Sequence, residues 1–188
     1  DKEVYRMPFT ADEIEISEIT LSEKQNNAFF GLKELLDKEE SAAALLYGVT
    51  GSGKTQVFLK LIDETVGKGK DVILMVPEIS LTPQTIRLFK NRYGTKIAVF
   101  HSGLSMGERV DEYKRVKNKE AKIAIGTRSA VFAPFENLGL IIMDEEQEHT
   151  YKSENSPRFH ARDVAKFRCS QNNALLLLAS ATPSVETF

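Results

Sequence analysis

Two short stretches hold residues whose types and spacing could do chemistry. "GVTGSGKT", residues 48–55, matches the pattern G-x-x-x-x-G-K-[ST] in full. Gly48, Gly51 and Gly53 let the backbone curl until several N–H groups point inward at phosphate oxygens, with Thr50 and Ser52 between them. Lys54 suits neutralisation of β- and γ-phosphate charge, and Thr55 suits Mg²⁺ through its hydroxyl. The second stretch, "LGLIIMDEEQ" (138–147), runs an apolar segment into Asp144 and Glu145. Asp144 suits the metal, through water, and Glu145 suits orienting and deprotonating an attacking water. Adjacent carboxylates repel, so placing them beside phosphates makes sense only with a divalent cation present. Each stretch alone has a plainer explanation, a glycine-rich turn or a solvated acidic run. Together they indicate a nucleoside-triphosphate hydrolysis site using Mg²⁺.

The elements that must position these residues follow from hydrophobic periodicity. Near-continuous apolar runs at 43–48, 71–77, 96–101, 122–127, 138–144 and 174–180 predict strands covered on both faces. Amphipathic patterns near 22–37, 54–66, 82–92, 105–117 and 160–170 predict helices between them. With the phosphate cradle, this alternation indicates an α/β fold of the P-loop NTPase type, an open parallel sheet with helices on both faces. Loops after the strands form the binding edge of such sheets. "GVTGSGKT", "PEISLTPQ", "HSGL", "GTRSA", "DEEQ" and "SATPS" each follow one of the six runs, so a single rim is predicted to carry the chemistry.

Composition sets outer limits. The chain has 188 residues, about one domain, with 41% hydrophobic and 28% charged residues. No run approaches the ~18 apolar residues of a membrane span, and the first residues lack the apolar core of a signal peptide. Cys169 is the only cysteine, which excludes an internal disulfide and a cysteine-based zinc site. A cytoplasmic setting without membrane contact is expected. The net charge of −2 is unevenly spread: residues 1–40 hold 5 Lys/Arg against 11 Asp/Glu, and residues 41–188 hold 20 against 16. Residues 1–20 are expected to be an acidic linker or arm and 21–188 the nucleotide-binding lobe. The mildly basic remainder permits polyanion binding without demanding it.

The polar segments allow two kinds of reading. Thr82 and Pro83 in "PEISLTPQ" start a helix, and that helix N-terminus, with Thr82 and Gln84, could also hold phosphate. Ser105-x-x-Glu108 in "HSGLSMGER" is a capping box, which leaves His101 and Ser102 as the candidate contacts there. In "GTRSAVF", Arg128 follows Thr127 off a buried strand, where an unpaired cation favours an anionic partner. "QEHTYKSENSPRFHARD" (147–163) interleaves Tyr151 and Phe159 with Lys152, Arg158 and Arg162. Rings that stack bases and cations that track phosphates suit a single strand; a surface loop with its rings tucked underneath is the plainer reading.

Taken together, "GVTGSGKT", "VPEISLTPQ", "HSGLSMGER", "IGTRSAVFAPF", "DEEQEHTYK", "RFHARDVA" and "SATPSVE" resemble superfamily-two helicases, most closely their replication-restart DNA helicases, over roughly residues 21–188. The resemblance implies the first of two RecA-like lobes of an ATP-dependent 3′→5′ helicase acting at stalled forks and supporting primosome assembly. Single-stranded and forked DNA, other replication-restart proteins and a second lobe of the same polypeptide are the implied partners. It assigns Gln25 to the adenine edge, although Ser22-x-x-Gln25 is also a capping box. Ser180 and Thr182 are implied to couple the ATP and DNA states, and the aromatic-rich loop to sense DNA. The fourth position of the acidic motif, most often His in that family, is Gln147 here, which still bonds through its carboxamide.

A second lobe would bring an arginine finger, worth roughly 10³–10⁵ in rate in comparable enzymes. The stretch alone is therefore expected to be an excised piece that binds ATP weakly and hydrolyses it negligibly. Another superfamily-two DNA translocase and a non-translocating, nucleotide-dependent DNA-binding switch are the alternatives. A small-molecule kinase fits least, since no lid or acceptor site is apparent.

Overall fold

The computed structural model describes residues 18–48 and 52–181. Thr50, Gly51, Thr182 and most of the acidic arm lie outside these described residues. Helix α1 (Glu23–Asp37) precedes β1 (Ala42–Tyr47), followed by α2 (Lys54–Gly67), β2 (Asp71–Met75), α3 (Pro83–Tyr93) and β3 (Ile97–Phe100). Then come α4 (Met106–Lys117), β4 (Ile123–Gly126), β5 (Leu138–Met143), β6 (Lys152–Ser153), β7 (Phe159–His160), α5 (Ala161–Asn172) and β8 (Leu175–Ser180). Six strands form a parallel sheet in the order β1-β8-β5-β2-β4-β3. Every expected strand and helix is present to within about two residues at each end.

Strand alternation divides the core into two layers. On one face Val72, Leu74, Ile97, Val99, Ile123, Ile125, Leu140 and Ile142 pack against Phe29, Leu32, Val57, Ile62, Ile86 and Phe89 of α1, α2 and α3. On the other, Ile73, Met75, Ile141, Met143, Leu176 and Leu178 meet Ala161, Ala165 and Cys169 of α5. That second face narrows to Ala98 and Ala124 on β3 and β4, both fully buried. The small side chains admit the 3₁₀ turn Arg128–Phe132, whose Ala130 joins the same cluster.

Two elements depart from the expectations. β1 has one face exposed along its length, with Leu45 at 38% and Tyr47 at 65% exposure. It is an edge strand, so an apolar run did not mean two covered faces. The polar stretch 147–163 contains the antiparallel pair β6–β7, with Lys152 opposite His160 and Ser153 opposite Phe159.

The opposite edge is protected by buried charge. Glu112 of α4, fully buried, accepts from the Val99 N–H of β3 and from Arg115 Nη1 at 2.6 Å. Arg115 also donates to the Thr95 carbonyl, so both ions are satisfied inside. Breaking one member of such a pair costs roughly 3–5 kcal/mol.

Close approach at the rim depends on Gly126. A Cβ there would lie 2.0 Å from the Phe100 carbonyl oxygen, a backbone atom that cannot turn aside. Gly126→Ala should therefore lower stability by about 1–3 kcal/mol. Gly31→Ala, in open space on the exposed side of α1, should raise it by about 0.5–1 kcal/mol. Denaturant midpoints of the two variants check both signs.

Candidate active site and nucleic-acid rim

The sheet register brings the polar motifs to one rim. Strand-type hydrogen bonding continues past the strand ends: Gly48 N–H donates to the Ser180 carbonyl, Val76 to Gly126, Thr127 to Phe100, Asp144 to Met75 and Glu146 to Ala179. Each motif is thereby held by its neighbour in the sheet rather than by its own loop.

At the phosphate loop, Gly53 is the N-cap of α2 with φ of 75°, the left-handed region that favours glycine. No side chain caps this helix, so its first N–H groups and the positive end of its dipole face the rim. A Cβ on Gly53 would also meet Gln25 Nε2 at 2.2 Å. Gln25 uses both ends of its carboxamide. Its oxygen accepts from Ser22 N–H at 2.8 Å in the capping box, and its nitrogen donates to the Ser52 carbonyl at 3.0 Å. The capping reading is thus realised, and the same side chain ties α1 to the loop.

Lys54 Nζ donates to the Gly48 carbonyl at 2.8 Å and lies 3.6 Å from Glu145 Oε1. An ammonium has three donors, so capacity remains for a phosphate. Glu145 adopts φ of 47°, which aims its carboxylate back toward the lysine just past a buried strand. Its other oxygen accepts from Gln147 Nε2 at 2.8 Å, and Gln147 Oε1 accepts from Ser180 Oγ at 2.6 Å. A continuous chain of Lys54, Glu145, Gln147 and Ser180 therefore runs from the loop to the end of β8.

Asp144 and Glu145 do sit side by side. Burial first, and the Glu145 charge second, push the Asp144 carboxyl up to about 6. Thr55, partly buried, carries its hydroxyl in the first turn of α2, directly after the phosphate loop. No cluster of three or more His, Cys, Asp or Glu side chains suited to a metal occurs among the described residues. This donor set fits an ion carried mainly by phosphates and water with one carboxylate and one hydroxyl, the manner in which Mg²⁺ is usually held. It does not fit an all-protein cage.

The aromatic-rich segment divides into exposed and buried members. Lys152 and Arg158 are exposed, and Phe159 is half-buried against Phe132, with ring centroids 4.9 Å apart and planes at 74°. Tyr151 is 1% exposed and donates its hydroxyl hydrogen to the Asp144 carbonyl. It therefore offers no ring for a base, correcting the expectation of a stacking platform at that position. Arg162 is also buried and pairs with Glu146 at 3.4 Å, so it cannot track a phosphate as an exposed cation would. Both corrections have one cause: the buried acidic turn needs internal partners, and this loop supplies them. Glu146, 1% exposed, is a positioning residue that the sequence reading passed over.

Arg128 is not unpaired. Its Nη1 donates to the carbonyls of Thr150 (3.1 Å) and Lys152 (3.4 Å), clasping the aromatic-rich segment. Carbonyls satisfy its hydrogens without cancelling its charge. Thr127 is 5% exposed and forms wall rather than surface. Thr82 caps α3 by accepting from Thr85 N–H at 3.2 Å, and Thr82 and Gln84 are exposed. His101 Nδ1 accepts from Gly103 N–H at 3.0 Å, and its buried Nε2 has no partner. Burial lowers the affinity of this imidazole for a second proton. No described helix is long and apolar enough to cross a membrane.

Residues 25–188 match the family described as DEAD/DEAH box helicase. The replication restart protein PriA of Bacillus subtilis (strain 168) is 48% identical over 188 residues, covering 100% of this chain and 23% of its own length. The replication restart protein PriA of Haemophilus influenzae is 45% identical over 170 residues, 90% of this chain and 23% of the relative. The chain thus spans about a quarter of the length of the curated relatives it matches. Among solved structures, RecG bound to a three-way DNA junction aligns with TM-score 0.67 and 23% identity, over 91% of this chain and 22% of that one, a likeness of fold. With its phosphate loop, acidic turn and six-stranded parallel sheet, the chain belongs to the DEAD/DEAH box helicase family.

Proposed function

We propose that this chain is the ATP-hydrolysing lobe of a 3′→5′ DNA helicase that acts at stalled replication forks and supports primosome assembly. The observation that carries the reading is the chain of one ion pair and two hydrogen bonds, Lys54–Glu145–Gln147–Ser180, which joins the phosphate loop to the end of β8. The similarity to replication restart proteins over the whole chain supports the setting.

In this reading Lys54 leaves the Gly48 carbonyl for the β- and γ-phosphates, while the open N-terminus of α2 holds the phosphate oxygens. Asp144 and Thr55 hold Mg²⁺, which supplies charge neutralisation on the phosphates. Glu145, freed from Lys54, orients and deprotonates the attacking water. Gln147 reports that change to Ser180 and, through it, to Thr182. Gln25 meets the adenine edge with the hydrogen-bonding capacity that its capping and loop contacts leave over. Single-stranded or forked DNA crosses the rim at Thr82, Gln84, His101 and Arg128, and over the exposed cations Lys152 and Arg158 with Phe159. A second lobe of the same polypeptide completes the ATP site, and this stretch without it hydrolyses ATP negligibly. Other replication-restart proteins are the partners, and the setting is cytoplasmic.

ATPase of the full-length protein, measured with and without single-stranded DNA, tests the reading. DNA should stimulate turnover, and Lys54→Ala and Glu145→Gln should each lower it by about 10²–10⁴-fold. A rate indifferent to DNA would remove the motor reading, and normal turnover by Glu145→Gln would remove that residue as base.

Gln147 does not titrate. Gln147→His should preserve the bridge while adding a pH-dependent step to DNA-stimulated ATPase in the imidazole range, near pH 6.5. Gln147→Ala should retain ATP binding and lose stimulation. Rates recorded from pH 5.5 to 8.5 compare the three proteins.

The Asp144 carboxyl gives a metal-linked prediction. Its folded pKa, about 6, lies above the ordinary 3.8, so the folded state holds this proton more tightly. The contribution is fully present below about pH 4 and is lost as pH rises through 6. Without metal at pH 7, Asp144→Asn should therefore be more stable by on the order of 1–2 kcal/mol while losing turnover. Denaturation in chelator from pH 4 to 8 should show the wild-type decline flattened in the variant.

A further inference from the structure

A cavity of about 410 Å³ opens on the rim between the end of β3, helix α4 and the Arg128–Phe132 turn. Its lining is mainly apolar, with Phe100, Tyr113 and Phe132 as the rings. Tyr113 is 48% and Phe132 51% exposed. Along α4 the apolar exposure continues through Val110 to Met106. Phe132 is held edge-on by Phe159, so its orientation is set before anything binds.

Arg109 and Arg128 line the same cavity. Arg109 donates to the carbonyls of Leu104 and Ser102, and Arg128 to those of Thr150 and Lys152. Neither has a carboxylate within ion-pair distance among the described residues, so two fixed positive charges stand uncancelled beside an apolar opening. Glu78, the one carboxylate in the lining, lies 3.5 Å from Ser102 Oγ and keeps spare acceptor capacity. The buried His101 Nε2, which carries the ring proton because Nδ1 accepts from Gly103, is a donor that a turn of the ring would present.

We infer that this cavity receives one unstacked base of the single strand crossing the rim, with Tyr113 and Phe132 against its faces and Arg109 and Arg128 on the adjoining phosphates. The inference rests on the DNA-motor reading and deepens it, because that reading needs only phosphate contacts here. A nucleotide joins a flat apolar ring to an anion within a few ångströms, which is what the site offers to match. A protein side chain would fill the opening but leave both guanidinium charges without an anion. Glu78 suits the exocyclic amine of a base, and His101 a ring nitrogen or carbonyl. A pocket that takes up one base also engages the strand at a base, whereas phosphate contacts position the backbone alone.

The test uses the full-length protein and a fork with a short single-stranded arm, which fixes register, with one abasic site walked along the arm. At one position the missing base should weaken binding by about tenfold, in the range for losing a base–aromatic stack. Tyr113→Ala and Phe132→Ala should weaken binding of the intact arm by a similar factor and abolish sensitivity to the abasic site at that position. Both side chains are half-exposed, so the substitutions spare the core. Arg109→Ala should weaken intact and abasic arms equally and reduce the salt dependence of binding. If the abasic penalty persists unchanged in the ring variants, or if they bind the intact arm like wild type while DNA still stimulates ATPase, the pocket is wrong and the motor reading stands. If wild type neither binds the fork nor responds to DNA, both fail together.

Discussion

Two carboxylates set side by side at the end of a fully buried strand are the constraint around which this rim is arranged. Asp144 and Glu145 follow β5, whose six residues are all buried, so neither acid can turn freely into water. Glu145 is held by Lys54 on one oxygen and Gln147 on the other. Asp144 has its backbone amide on Met75, its carbonyl on Tyr151, and one carboxylate oxygen on the Glu145 amide. Glu146, next in line, is buried and paired with Arg162. Three successive acids therefore have three different solutions, and each recruits a separate segment of chain. The aromatic-rich loop, the start of α5 and the end of β8 are all fastened to the acidic turn.

This arrangement explains why the loop after the acidic motif is polar in composition yet partly internal in structure. A solvated loop would leave the turn to fluctuate. Here Tyr151 and Arg162 fold under it, and Arg128 reaches from the end of β4, two strands across the sheet from β5, to hold the same segment by its carbonyls. Of the rings and cations singled out in that loop, Lys152, Arg158 and the edge of Phe159 remain outward. Movement of these exposed residues cannot be independent of the acids, because both ends of the segment are tied to the same turn.

Much of the fold was legible in the sequence. Parallel strands covered on both faces leave unbroken apolar runs, and helix starts at Ser22, Thr82 and Ser105 announce themselves by capping side chains. The two nucleotide motifs were legible for the same reason: glycine spacing and adjacent acids are dictated by local geometry. What escaped was decided by long-range packing. Two-residue strands such as β6 and β7 leave no periodicity. Composition cannot tell which arginine or tyrosine of a polar loop turns inward, so Tyr151 and Arg162 were read as exposed. Glu146 looked like one more charge in an acidic run until its burial gave it a partner. The exposed face of β1 was hidden because an edge strand and a central one can carry the same apolar letters.

The buried Glu112 has a further consequence for how the sheet meets other chains. By occupying the Val99 amide on β3, it takes a donor that an intruding strand would need, and its charge repels that strand's carbonyl oxygens. Lateral growth of the six-stranded sheet is therefore discouraged on that margin, and among the described residues β1 is the margin of this sheet more open to β-addition, whether useful or pathological.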